Sequence, residues 1–196
     1  SDLAPLSADV RRPTISPGDV ECIDTAAIPG GGTLRLLRSG SSFSIQFEED
    51  ELMGSDACRS EQALAKLAID RLGEGPDRIL IGGLGMGFTL VAALACLPAS
   101  ATVVVAELVP KVVTWAGGVL AHLFGTSLSD PRVTLDIRDV HDVIAGSSGA
   151  FDAILLDVDN GPDGLTRPGN DGLYGPRGLS AARAALRPGG VLAVWS

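Results

Sequence analysis

Apolar residues recur along this chain with two periods, and each change of period marks a boundary between elements. Thr33 to Arg38 and Ser42 to Glu48 flank Ser39-Gly40-Ser41, and Phe43, Ile45 and Phe47 alternate with polar neighbours. That pattern predicts a β-hairpin, with Val20 to Thr25 as a further short strand. The acidic run Glu48 to Glu51 predicts a solvated turn. From Ser55 to about Leu72 the period lengthens: Leu64, Leu67, Ala68 and Leu72 share one helical stripe, which Gly73 to Pro76 stops.

Beyond that point strands and helices alternate. Strand Arg78 to Ile81 precedes helix Gly87 to Leu97, and strand Thr102 to Ala106 precedes a helix opened by Pro110 and closed by Gly125. Val112, Val113, Ala116, Val119, Leu120 and Leu123 are its predicted inner face. Strand Arg132 to Ile137, helix Asp139 to Ala145, strand Phe151 to Leu156, helix Gly178 to Leu186 and strand Val191 to Trp195 complete the series. Right-handed crossovers between parallel strands then predict an α/β, doubly wound, mostly parallel sheet of the Rossmann-like type. The chain divides into an N-terminal arm and β-hairpin unit (1–54) and the Rossmann-like domain (55–196), with no internal repeat.

Ile79 to Ala106 carries no charge and is long enough to span a bilayer. Its glycines, Pro98 and the β-branched residues at its far end fit a buried strand, a glycine turn, a buried helix and a second buried strand better. No membrane partner is expected, and the absence of a signal-like segment in Ser1 to Arg12 points to a cytoplasmic protein.

Composition narrows the partners. The 196 residues carry 15 basic and 24 acidic side chains, a net charge of −9, and only 4% aromatic residues. Such a surface repels phosphate backbones and offers little for base stacking, so no nucleic acid is expected; a small cationic molecule is the better fit. Cys22, Cys58 and Cys96 are too widely spaced to form a metal pattern, so they read as reduced and structural, with no metal.

The strongest chemical signal is Ile81-Gly82-Gly83-Leu84-Gly85-Met86-Gly87, a glycine-rich turn between strand and helix whose backbone can approach a ligand closely. A dinucleotide fingerprint would need Gly or Ala where Phe88 stands, so Gly83, Leu84, Gly85 and Gly87 suit a nucleoside without a pyrophosphate. Equally, the glycines alone could serve only a tight turn. Glu107, followed by Leu108, ends the next strand about 20 residues on, where a carboxylate can accept from ribose hydroxyls. Its bland alternative is a surface acid near a helix start. Asp139, preceded by Arg138, is an N-cap that could also meet an adenine amino group. Leu156-Asp157-Val158-Asp159-Asn160 follows a buried strand tip, where acids can attract and position an amine, or merely form a polar turn. Tyr174 either closes over the site or anchors its loop.

In their order these motifs resemble the spermidine synthase family of aminopropyltransferases, which shares its fold with S-adenosylmethionine-dependent methyltransferases. The resemblance runs from about Phe43 to Trp195. It rests on the glycine loop, Val105-Ala106-Glu107-Leu108-Val109-Pro110, Asp130-Pro131-Arg132-Val133 with Arg138-Asp139, and Phe151 to Asp157; Arg187-Pro188-Gly189-Gly190 is shared more widely. It implies S-adenosylmethionine or its decarboxylated form as co-substrate and a small cationic amine or other small molecule as acceptor. Glu107 would hold ribose, Asp139 adenine and Asp157 the attacking amine, with Asp159, Asn160 and Tyr174 towards the substrate. The β-unit would cover the site and support a homodimer.

Departures are equally specific. Met86 is read at the place of the family's donor-gripping aspartate, the tyrosine expected near Ser60 is absent, and Leu52-Met53 replaces a glutamine. The strand-tip motif lacks its second acid in the usual place. These changes leave two alternatives to aminopropyl transfer: a small-molecule methyltransferase, and a non-catalytic adenosyl-binding or dimeric scaffold. The apolar strand Val191 to Trp195, at the end of the sequence, is expected to be covered by the N-terminal segment or a second subunit unless the chain is shortened.

Overall fold

A computed structural model describes residues 19–56, 58–73, 75–156 and 173–194. Four antiparallel strands come first: β1 (Val20–Ala27), β2 (Thr33–Ser39), β3 (Ser42–Phe47) and β4 (Asp50–Gly54), paired in that order. The predicted hairpin is β2–β3, with Leu36 opposite Ile45. The acidic run turns only at Glu48-Glu49, where Glu48 takes φ 53°; Asp50 and Glu51 already belong to β4. An edge strand tolerates such solvent-facing charges, and an isolated acidic run does not reveal one.

Helix α1 (Arg59–Leu72) leads into β5 (Arg78–Gly82), α2 (Phe88–Cys96), β6 (Thr102–Ala106), α3 (Pro110–Gly117), α4 (Ala121–Phe124), β7 (Val133–Asp136), α5 (Val140–Ala145), β8 (Phe151–Leu156), α6 (Pro176–Ala185) and β9 (Leu186–Val194). The five later strands are all parallel, in the order β7-β6-β5-β8-β9. Alternate residues of the central strands serve opposite faces. Ile79, Ile81, Val103, Val105, Ala153 and Leu155 join the core under α1, α2 and α3, while Leu80, Val104, Ile154 and Leu156 join a second core under α5 and α6. The chargeless segment is thus β5, α2 and β6, and no described helix is long and apolar enough to cross a membrane.

Two helices differ from their predicted pattern. On α1 the buried residues are Ala65, Ala68 and Ile69, and Leu67 is 69% exposed, because the helix packs through its small side chains against α2. The helix opened by Pro110 breaks at Gly117-Gly118, the residues of highest entropic cost in a helix. The break turns Val119 outward and lets Trp115, Leu120 and Phe124 into the core. Strand β9 starts earlier than expected and bends where its register with β8 shifts between Phe151 and Ala153. It forms an edge of the parallel sheet among the described residues, and none of β1 to β4 pairs with it.

The β-unit and the parallel domain share the first core. Their seam is also polar. Asp24 accepts from Lys111 Nζ at 2.8 Å and from Trp115 Nε1 at 3.0 Å, which hold its carboxyl down at about 2, well below the usual carboxylate range. The rings of Phe43 and His122 lie 5.6 Å apart. All three cysteines are free, and Cys22 and Cys96 lie at the surface rather than in the core.

Candidate active site at the carboxyl edge of the parallel sheet

Ligands of open parallel sheets bind beyond the carboxyl ends of the strands, so the tips of β5, β6, β7 and β8 frame the site. β5 ends at Gly82, and the turn that follows has three left-handed residues, Gly83 (φ 91°), Gly85 (φ 50°) and Gly87 (φ 84°), which L side chains adopt only with strain. Gly83 N donates to Ala106 O on β6 at 2.8 Å, and Gly87 N donates to Leu84 O at 2.9 Å.

The glycines also make room for the protein itself. A Cβ on Gly85 would lie 2.6 Å from Met53 Cε, and one on Gly87 would lie 2.3 Å from the Phe124 ring. The close approach is therefore used from both sides, by the β-unit through Met53 and by α4 through Phe124. Met86, read from the sequence at the donor-selecting position, is 1% exposed and sits in the first core. It fills an apolar gap there.

Glu107 stands at the tip of β6 as expected, turned into the glycine turn. Its Oε2 accepts from Leu84 N at 2.8 Å and its Oε1 from Val109 N at 2.9 Å. Burial pushes this carboxyl above its ordinary value against the pull of the backbone N–H groups of Leu84, Val109, Gly85 and Leu108. An ionised carboxylate has about four acceptor positions, so ribose hydroxyls would share it with these amides. Leu84 is buried and Leu108 partly so.

At the tip of β7, Arg138 donates through Nε to Asp136 Oδ1 at 2.7 Å and through Nη2 to Asp136 Oδ2. This guanidinium holds Asp136 below the usual carboxylate range. Asp139 is the N-cap of α5: its Oδ1 accepts from His141 N at 2.9 Å and lies 2.8 Å from His141 Nδ1. Sequence reading found the cap but missed His141, two residues on, whose ring now shares Asp139's carboxylate. The signal was present in Asp139-Val140-His141, where the side chain of an extended N-cap residue folds back onto the residue two places on.

β8 ends at Leu156, in register with Gly82. Asp157, Asp159 and Asn160 follow it in the chain and lie outside the described residues. Tyr174 packs against the second core beside the buried Leu173. A separate cavity of about 260 Å³, lined by Leu37, Phe43, Glu51 and Asp56 among others, belongs to the β-unit.

No protein-family model matches the sequence, and no curated protein matches it. Solved structures do. A spermidine synthase in complex with the transition state analogue AdoDATO superposes with a TM-score of 0.72 at 19% identity, over 88% of this chain and 57% of that one. The spermidine synthase of Thermotoga maritima gives 0.71 at 19% identity, over 88% and 56%. The chain spans little more than half the length of these structures. It has the spermidine synthase fold: an antiparallel four-stranded unit followed by a Rossmann-like, methyltransferase-type parallel sheet.

Proposed function

We propose that the protein binds an S-adenosyl nucleoside across the tips of β5 and β6 and transfers an aminopropyl group to a small cationic amine. The observation that carries this reading is the alignment of the glycine turn, Glu107 and Asp139 on three neighbouring strand tips of a spermidine synthase fold. Glu107 would take the ribose hydroxyls and Asp139 the adenine amino group, with Arg138 and Leu108 beside them. In the reaction the amine nitrogen attacks the carbon bonded to the sulfonium; the N–C bond forms, the C–S bond breaks, and the thioether nucleoside leaves. The extra proton of the amine must go to a base, and Asp157 is our choice, with Asp159 and Asn160 nearby in sequence. Alignment by binding and removal of that proton supply the rate.

A methyltransferase acting on a small molecule is the second reading. It is favoured by the glycine turn itself, which has no acidic side chain from Gly82 to Phe88, and by the thioether of Met53 over Gly85. Calorimetric titration separates the two: preference for decarboxylated S-adenosylmethionine supports aminopropyl transfer, and preference for the carboxylated form contradicts it. In the transfer assay Asp157→Asn is expected to abolish turnover with adenosyl affinity nearly intact. Equal turnover removes Asp157 from the mechanism.

A further inference from the structure

Asp24 belongs to the β-unit, yet its carboxylate serves the parallel domain. A β-bulge puts it there. Cys22 stands opposite Leu37 of β2 and Asp24 stands opposite Leu36, so Ile23 is an extra residue between two that would otherwise share a face. Residues directly opposite each other lie on one face, and Leu36 is fully buried in the first core. The bulge therefore turns Asp24 from Cys22's side of the meander to the side that meets α3.

The two carboxylate oxygens meet residues one turn apart on that helix. Oδ1 accepts from Lys111 Nζ at 2.8 Å and from the adjacent Thr25 N at 2.8 Å, and Oδ2 accepts from Trp115 Nε1 at 3.0 Å. Trp115 is 3% exposed, so its indole N–H relies on this carboxylate. α3 has eight residues and ends at the Gly117-Gly118 break, so ties at Lys111 and Trp115 fix most of its length.

α3 starts where the hold of Glu107 ends. Oε1 of Glu107 accepts from N of Val109, the N-cap residue of α3, and Oε2 accepts from Leu84 N in the glycine turn. Each of those segments is braced by the β-unit: the glycine turn by Met53 of β4 over Gly85, and α3 by Asp24 of β1. The buried Glu107 carboxylate thus takes its direction from two backbone N–H groups whose places β4 and β1 set. Hydrogen bonds weaken steeply with misalignment, so a small shift of α3 is felt at that carboxylate.

We infer that Asp24 is a positioning residue for nucleoside recognition: acting through α3 and Val109, it aims the Glu107 carboxylate at the ribose hydroxyls. The inference rests on the nucleoside reading of Glu107 proposed above. It gives the β-unit a part in ribose selectivity, at a residue remote in sequence from the strand-tip motifs.

The test uses the full chain, with Asp24→Ala, Asp24→Asn and, as a control for lost stability alone, Arg132→Ala. Affinities for 5′-methylthioadenosine and its 2′-deoxy analogue are measured by calorimetry well below each melting temperature, and their ratio reports the grip on the ribose hydroxyl. Expected is a preference of about tenfold or more for the ribonucleoside in wild type. That ratio should fall by about threefold or more in Asp24→Ala. It should fall less in Asp24→Asn, whose amide oxygen still accepts from Trp115, and stay unchanged in Arg132→Ala. A merely structural Asp24 would lower the melting temperature and leave the ratio where it was, and that result overturns the inference. An equal fall in Arg132→Ala overturns it as well. If Asp24→Ala does not fold, Asp24→Asn and Lys111→Met decide by the same ratio. A wild-type preference that survives in the Asp24 variants sinks the inference alone; a wild type that binds neither nucleoside, or both alike, sinks the ribose reading of Glu107 and the inference with it.

Discussion

The two ends of the parallel sheet use charge in different proportions. At the amino end, charged side chains are saturated by partners that bind one element to another. Arg132, just before β7, forms a bidentate pair with Asp130 and donates to Leu94 O and Leu97 O at the end of α2. Asp152, at the start of β8, accepts from Asp77 N and Arg78 N at the entrance to β5 and from Arg187. At the carboxyl end two acids take backbone N–H groups, Glu107 those of Leu84 in the glycine turn and of Val109, and Asp139 that of His141 at the start of α5, while Asp136 pairs with Arg138. The first arrangement spends charge on cohesion between distant segments. The second uses carboxylates to hold the backbone of the turns that follow the strands.

Substitutions can sharpen or break that contrast. The largest effect is expected from Gly87→Ala, which puts a side chain into left-handed backbone and against the Phe124 ring; the two costs sum to about 3 kcal/mol. Denaturant unfolding reads it, and a loss that persists undiminished in a Phe124→Leu background would show that the ring does not brace the turn. Arg132→Ala should cost about 2 kcal/mol, because it removes charge-assisted bonds and leaves helix-end carbonyls without their donor. Nucleoside affinity should stay at the wild-type value, and a parallel fall in affinity would erase the distinction between the two ends.

Asp152→Asn should have the smallest effect, about 1 kcal/mol at neutral pH, since the amide oxygen still accepts one N–H. Burial acts to raise the Asp152 carboxyl, but the N–H groups of Arg78 and Asp77 and the Arg187 guanidinium outweigh it and leave it below the ordinary value of 3.8. A carboxyl lowered by folding stabilises the protein above its unfolded value and loses that contribution as pH falls through the folded one. The gap between wild type and Asp152→Asn should therefore close below about pH 4. A gap constant from pH 7 to 3 would mean that the ionised form is not what matters.

Strand patterning was the most legible part of the sequence. The runs at Ile79, Val103 and Ile154 are buried on both faces, so their reading as parallel strands of one sheet had no close competitor. Helix faces were less legible: Leu67 outranks Ala65 in hydrophobicity, yet close packing of α1 on α2 selects the small residue. The glycine turn was found by pattern, but pattern could not say that Met53 and Phe124 occupy the space its missing side chains leave, since both are distant in sequence. Glu107 was located by its distance from that turn; its capture by Leu84 N and Val109 N depends on the backbone path, which no spacing rule encodes.

Met53 and Phe124 press on the same short turn from separate parts of the molecule, one from the leading β-meander and one from the broken helix after β6. The glycine turn is thus a keystone between two halves. Trimming the meander to obtain a minimal Rossmann-like fragment would take Met53 away from Gly85, so the leading strands belong to the packing that braces the glycine turn rather than being an appendage to it.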